Sequence, residues 1–125
     1  MEFGYIGINY KNADQDIRDG VSFTDNGKID FMEKAADAGI SQCMVLSTCN
    51  RSEVYYLVQD TEEHKTMERL YRGNFSAICL DEYLDFRSGK EAIAYLFRVT
   101  AGLESMVLGE DQILGQVKEA CELSQ

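Results

Sequence analysis

Cys49 is the residue of this chain most suited to covalent chemistry. It stands in the polar run Ser47-Thr48-Cys49-Asn50-Arg51-Ser52-Glu53, directly after the apolar Met44-Val45-Leu46. Thiolate is the nucleophilic form of cysteine, and a nearby cation favours it. Arg51 lies two residues on, a spacing that puts both side chains on one face of an extended chain. The guanidinium has a second use, because its fork of donors matches a carboxylate in a bidentate pair. A small buried cysteine beside a surface arginine satisfies the same spacing, and on spacing alone that plainer reading is the stronger. Cys43, Cys79 and Cys121 sit in more apolar runs, so Cys49 is expected to be the most reactive of the four thiols.

A second polar stretch is Gly102-Leu103-Glu104-Ser105-Met106-Val107-Leu108-Gly109-Glu110-Asp111-Gln112-Ile113-Leu114-Gly115-Gln116. Its glycines frame side chains that, with backbone N–H groups, can meet a polar ligand ahead of a helix. It is not a dinucleotide fingerprint, since no strand precedes it and the glycine spacing is wrong. Physics alone favours a helix-to-helix connection. Tyr55 and Tyr56 occupy opposite strand faces, with at least one in the core. Asp60 to Glu63 reads as a solvated, dipole-matched helix start, and His64 as an exposed helix residue.

The elements that must position these residues follow from period and punctuation. Residues 3–10 read as a strand, and residues 12–25 as a loop with a helical turn. Asp25-Asn26-Gly27 reads as a turn ahead of a helix over 28–38, whose inner face is Ile29, Met32, Ala35 and Ala36, with Gly39 as its stop. Strands over 43–48 and 53–59 are too close to be anything but a hairpin, with Cys49-Asn50-Arg51 near its tip. A helix from Thr61 places Met67, Leu70 and Tyr71 on one face, and a fourth strand falls near 83–87. Ser88-Gly89-Lys90-Glu91 matches a capping box opening a helix with Ile93, Leu96 and Phe97 inward. A last helix starts around Asp111 and has no stop by Gln125, which predicts a piece of a longer protein. The order is that of a ferredoxin-like split βαβ, an α+β sandwich followed by C-terminal helices.

The bulk numbers bound the function. With 125 residues the chain fits one domain, and 22 acidic against 12 basic side chains give a net charge of −10. Polyanion binding wants a basic stripe. Contact with RNA must therefore be local, with Lys11, Arg18, Arg51, Lys65, Arg69 and Arg72 as candidates. No cysteine pair has zinc-site spacing, so no metal is expected. Neither a secretory pattern nor a bilayer-length apolar run is present, which predicts a cytoplasmic protein with reduced thiols.

The residues at 47–53, continued by Val54-Tyr55, resemble the nucleophile motif of the glutamyl-tRNA reductases. Gly102 to Lys118, GLESMVLGEDQILGQVK, is similar to that family's second signature almost throughout, and Gly7-Ile8-Asn9-Tyr10-Lys11-Asn12-Ala13 with Arg18 resembles its opening motif. The resemblance implies that residues 1–125 form the N-terminal, substrate-binding catalytic domain, ending before the NADPH-binding domain. It implies that a Cys49 thiolate attacks the ester joining glutamate to tRNA, releasing tRNA and leaving a thioester. Hydride from NADPH in the full-length enzyme then gives glutamate-1-semialdehyde, the first committed intermediate of tetrapyrrole biosynthesis. Substrate contacts carry over to Thr48, Asn50, Arg51, Ser105, Glu110, Asp111, Gln112 and Gln116, with Arg51 on a carboxylate and Glu110 on the ammonium. Partners so implied are glutamyl-tRNA, a second copy in a full-length homodimer, and glutamate-1-semialdehyde aminomutase.

Some positions depart from the family. Tyr10 and Tyr95 stand where it usually has histidine, and Asn12, Asp14 and Asp111 replace threonine, proline and proline. Position 95 carries over as a catalytic position near the nucleophile, yet tyrosine, with a reference pKa of about 10, is a poor base near neutrality. The alternatives are a non-reducing binding or regulatory paralogue and an aminoacyl-ester hydrolase.

Overall fold

A computed structural model describes residues 1–9, 11 and 13–100. Its elements are β1 (Glu2–Asn9), α1 (Gln15–Gly20), α2 (Asp25–Asp37), β2 (Cys43–Ser47), β3 (Arg51–Val58), α3 (Thr61–Asn74), β4 (Asp85–Ser88) and α4 (Gly89–Thr100). The four strands form one sheet in the order β2-β3-β1-β4, every neighbouring pair antiparallel. The crossover from β1 through α2 to β2 leaves a gap that β3 fills, which is the expected split βαβ arrangement. The expected last helix near Asp111 lies outside the described residues.

Period-2 alternation in the strands feeds two cores. Ile6, Ile8, Val45, Val54, Tyr56 and Val58 pack with Phe31 and Ala35 of α2 and Met67 and Tyr71 of α3. Tyr5, Leu46 and Tyr55, from the other face, pack with Ala92, Tyr95 and Val99 of α4. Tyr55 and Tyr56 are thus both core residues, one in each layer.

Two helix faces differ from expectation. Asp25-Asn26-Gly27 is the first turn of α2, capped by Thr24 Oγ1, which accepts from the Gly27 N–H at 3.0 Å. The buried face is Lys28, Phe31 and Ala35, and Ile29 is exposed. Phe31 decides this, because its ring packs edge-on against Phe23 at 5.6 Å and brings in the residues one turn away on either side. In α4 the buried face is Ala92, Tyr95 and Val99, while Ile93 and Phe97 are exposed. His64 is not a free surface residue: its ring joins Tyr56 Oη at 3.0 Å and Glu2 Oε1 at 2.6 Å, tying α3 to the sheet. Gly39 stops α2 as expected, with φ at +94°, a conformation that favours glycine.

Candidate active site

The β2–β3 hairpin closes in a tight turn. The Thr48 N–H donates to the Arg51 carbonyl at 2.8 Å, and the Asn50 N–H donates to Thr48 Oγ1 at 3.1 Å. This leaves Cys49, with Asn50, at the tip, its thiol exposed. Ser47 Oγ accepts from the Phe23 N–H at 3.0 Å, so the strand end leading to Cys49 is pinned to the chain entering α2.

Arg51 is not a surface residue. It and Glu53 are almost wholly buried, at 1% and 0% exposure, on the sheet face that α4 covers. Arg51 Nη1 donates to Glu53 Oε2 at 2.9 Å and to Tyr95 Oη at 3.4 Å. Three phenols also donate to the Glu53 carboxylate: Tyr5 to Oε2 at 2.9 Å, Tyr95 to Oε2 at 3.2 Å and Tyr55 to Oε1 at 3.0 Å. Asn9, at the end of β1, donates from Nδ2 to Tyr95 Oη at 2.9 Å. Burial pushes the Glu53 carboxyl up, while Arg51 and the three phenols pull it back. Burial pushes the Tyr95 phenol up to about 12, and the Glu53 charge adds to this. Its ring lies under the Arg87 guanidinium, 4.1 Å from the centroid.

Thr48, Cys49, Asn50 and Arg51 are therefore brought into one turn, and Tyr95 is joined to it through Arg51. The Tyr95 hydroxyl bonds run to Asn9, Arg51 and Glu53. Ser105, Glu110, Asp111, Gln112, Gln116 and Tyr10 lie outside the described residues. Sequence reasoning missed Glu53, Tyr5, Tyr55 and Asn9 as members of this network. The available signal was Arg51, Glu53 and Tyr55 alternating along one strand face, a charged pair where an apolar row was due. Among the RNA-contact candidates, Arg51 is buried, Arg72 pairs with Glu68 and Asp81, and Lys65 pairs with Glu62. A cleft of about 510 Å³ opens at the far end of β2, lined by Phe3, Cys43, Met44, Tyr55 and Leu96. It does not include the hairpin tip, where the exposed Cys49 stands. Among the described residues, no group of three or more His, Cys, Asp or Glu could hold a metal, and no helix is long and apolar enough to cross a membrane.

The family model for the N-terminal domain of glutamyl-tRNAGlu reductase matches residues 6–125. The chain belongs to the glutamyl-tRNA reductase family. It is 42% identical over 125 residues to the glutamyl-tRNA reductase of Clostridium novyi (strain NT), covering 99% of this chain and 30% of that protein. With that of Alkaliphilus metalliredigens (strain QYMF) it shares 40% identity over 124 residues, covering 96% and 29%. The solved glutamyl-tRNA reductase from Methanopyrus kandleri superposes with a TM-score of 0.75 at 28% identity, over 98% of this chain and 28% of that one. This chain thus spans about three tenths of the length of those family members. The alignment with a glutamyl-tRNA reductase structure also bears out the α+β fold expected from the order of elements.

Proposed function

We propose that this chain is the part of a glutamyl-tRNA reductase that receives the glutamyl group, with Cys49 as nucleophile. The observation that supports this best is the exposed Cys49 thiol at the tip of a hairpin whose next strand begins with a buried, oriented arginine. The thiolate sulfur attacks the carbonyl carbon of the ester between glutamate and tRNA, and a carbon–sulfur bond forms. The carbon–oxygen bond breaks, and the tRNA hydroxyl leaves after taking up a proton. Nothing is oxidised or reduced in this step. Arg51 meets the glutamyl side-chain carboxylate, a planar anion that suits its donor fork. Tyr95, its phenol pushed up to about 12, stays protonated near neutrality and acts as a donor.

In this reading NADPH, held elsewhere in the full-length enzyme, would supply the reducing chemistry. The described sheet is wholly antiparallel and offers no parallel βαβ crevice for a dinucleotide, so its residues do not fit that cofactor, and reduction belongs to the rest of the enzyme. The same reading places the whole protein in the cytoplasm, in tetrapyrrole biosynthesis, as a homodimer working alongside glutamate-1-semialdehyde aminomutase.

The test is single-turnover acylation with glutamyl-tRNA labelled in the amino acid. Label should stay on the protein through acid precipitation, be released by hydroxylamine, and map to Cys49. Cys49→Ser should take up none. Label on Cys79, or none on the unaltered protein, would refute the reading.

A further inference from the structure

We propose that Glu53 is a positioning residue for Arg51: it fixes the plane of the guanidinium that meets the substrate's free carboxylate, and Tyr5, Tyr55 and Tyr95 hold Glu53 in turn. This inference rests on the proposed role of Arg51 above. Glu53 collects four donors from three elements, with Tyr5 on β1, Arg51 and Tyr55 on β3, and Tyr95 on α4. Three of those donors hold Oε2 and one holds Oε1, so both oxygens of the carboxylate are engaged. Replacing a buried ion pair by apolar groups of similar volume is often neutral or stabilising. Such a network at the core of a small domain therefore points to something other than stability. What it secures is direction. Nη1 of Arg51 is engaged by both Glu53 and Tyr95. The guanidinium is planar, so fixing one nitrogen on two partners sets the plane of the others. An arginine ordered in advance loses less freedom when its anion arrives, which is how a supporting shell raises affinity. The sheet register serves the same end: Gly7 lies opposite Glu53 on β1, and its missing side chain leaves room for the carboxylate.

The experiment compares the protein with Glu53→Gln and Tyr55→Phe, first checked for native far-ultraviolet circular dichroism. The glutamine variant keeps the side-chain volume and loses the charge. The phenylalanine variant keeps the Glu53 carboxylate and removes its Oε1 anchor. The concentration of glutamyl-tRNA giving half-maximal acylation of Cys49 should rise about tenfold or more in Glu53→Gln, with the maximal rate much less affected. Tyr55→Phe should move the same way by less. The Arg51 Nε–H resonance in a ¹⁵N spectrum should be sharp and slow to exchange in the unaltered protein, and should broaden or average in both variants. If Glu53→Gln does not fold, Tyr55→Phe decides on the same two readouts. Half-saturation and an Arg51 resonance both unchanged in a folded variant would overturn the proposal. Should the unaltered protein form no thioester, the functional reading falls, and with it the catalytic purpose of Glu53. The Arg51 resonance then reports only whether Glu53 holds the guanidinium.

Discussion

Tyr95 shows how little a residue's type says about its task until its partners are known. Its hydroxyl accepts from Asn9 and donates to Glu53, and its burial pushes the phenol up to about 12, so it carries no proton away from a thiol near neutrality. Tyr95→Phe should therefore leave the pH profile of Cys49 acylation in place. It should still cost about 1–3 kcal/mol of stability, because Asn9, 3% exposed, and one Glu53 oxygen each lose a partner. Urea melts and acylation rates across pH check both halves, and a displaced pH profile would make the phenol a proton carrier after all. The thiols separate as sharply. Cys43 is buried, and burial pushes it up to about 12, so alkylation at mildly alkaline pH should spare it until the chain unfolds. Cys49 and Cys79 are both exposed and should label in the folded protein. The apolar run around Cys79 concealed that exposure, since a run of apolar neighbours says nothing about which residue of a turn faces water.

Element by element, the sheet was legible and the helix faces were not. Apolar runs bounded by turn residues set the strands and the hairpin, because a strand's period of two and a short connection leave few other arrangements. Which stripe of a helix turns inward depends on particular partners: Phe31 follows Phe23, and Tyr95 follows Glu53. Counting aliphatic residues favoured Ile29 and Ile93 and so missed both. Within the site, Cys49 and Arg51 could be named from sequence, but the cage around Glu53 needs β1, β3 and α4 assembled. Gly7 is the element-scale consequence. A Cβ there would lie 2.8 Å from Tyr5 Oη and 2.9 Å from both Glu53 Cγ and the Ser52 carbonyl oxygen. The last of these is backbone and cannot swing aside. Gly7→Ala should thus cost about 1–3 kcal/mol by overpacking, and it should weaken acylation by displacing Glu53. Unfolding melts with a parallel acylation assay measure this, and an alanine variant as stable and active as the parent would show the strands tolerate the contact.

At the scale of the whole molecule, charge and burial pull on the fold in different pH ranges. The net charge of −10 was readable at once, but the burial of the phenols was not. Five described tyrosines, at positions 5, 55, 56, 71 and 95, are harder to ionise in the folded chain, burial being the first cause in each. An acid whose folded value is raised keeps its proton longer when native. The stability linked to it is fully present below its unfolded value, about 10 for tyrosine, and is lost as pH rises from there through the folded values. Once the unfolded phenols ionise, each opposes folding by about 1.4 kcal/mol per pH unit, and five together by about 7. Domains hold only about 5–15 kcal/mol in total. The chain should accordingly unfold steeply within one or two units above about pH 10, with phenolate absorbance and loss of far-ultraviolet circular dichroism rising in a single transition. Replacing Tyr71, whose hydroxyl donates to the Ser52 carbonyl at 3.0 Å, by phenylalanine should make that transition shallower by removing one linked proton. A gradual phenolate titration centred near pH 10 in a chain that keeps its native dichroism would mean the phenols are open to water and the cage around Glu53 is not closed.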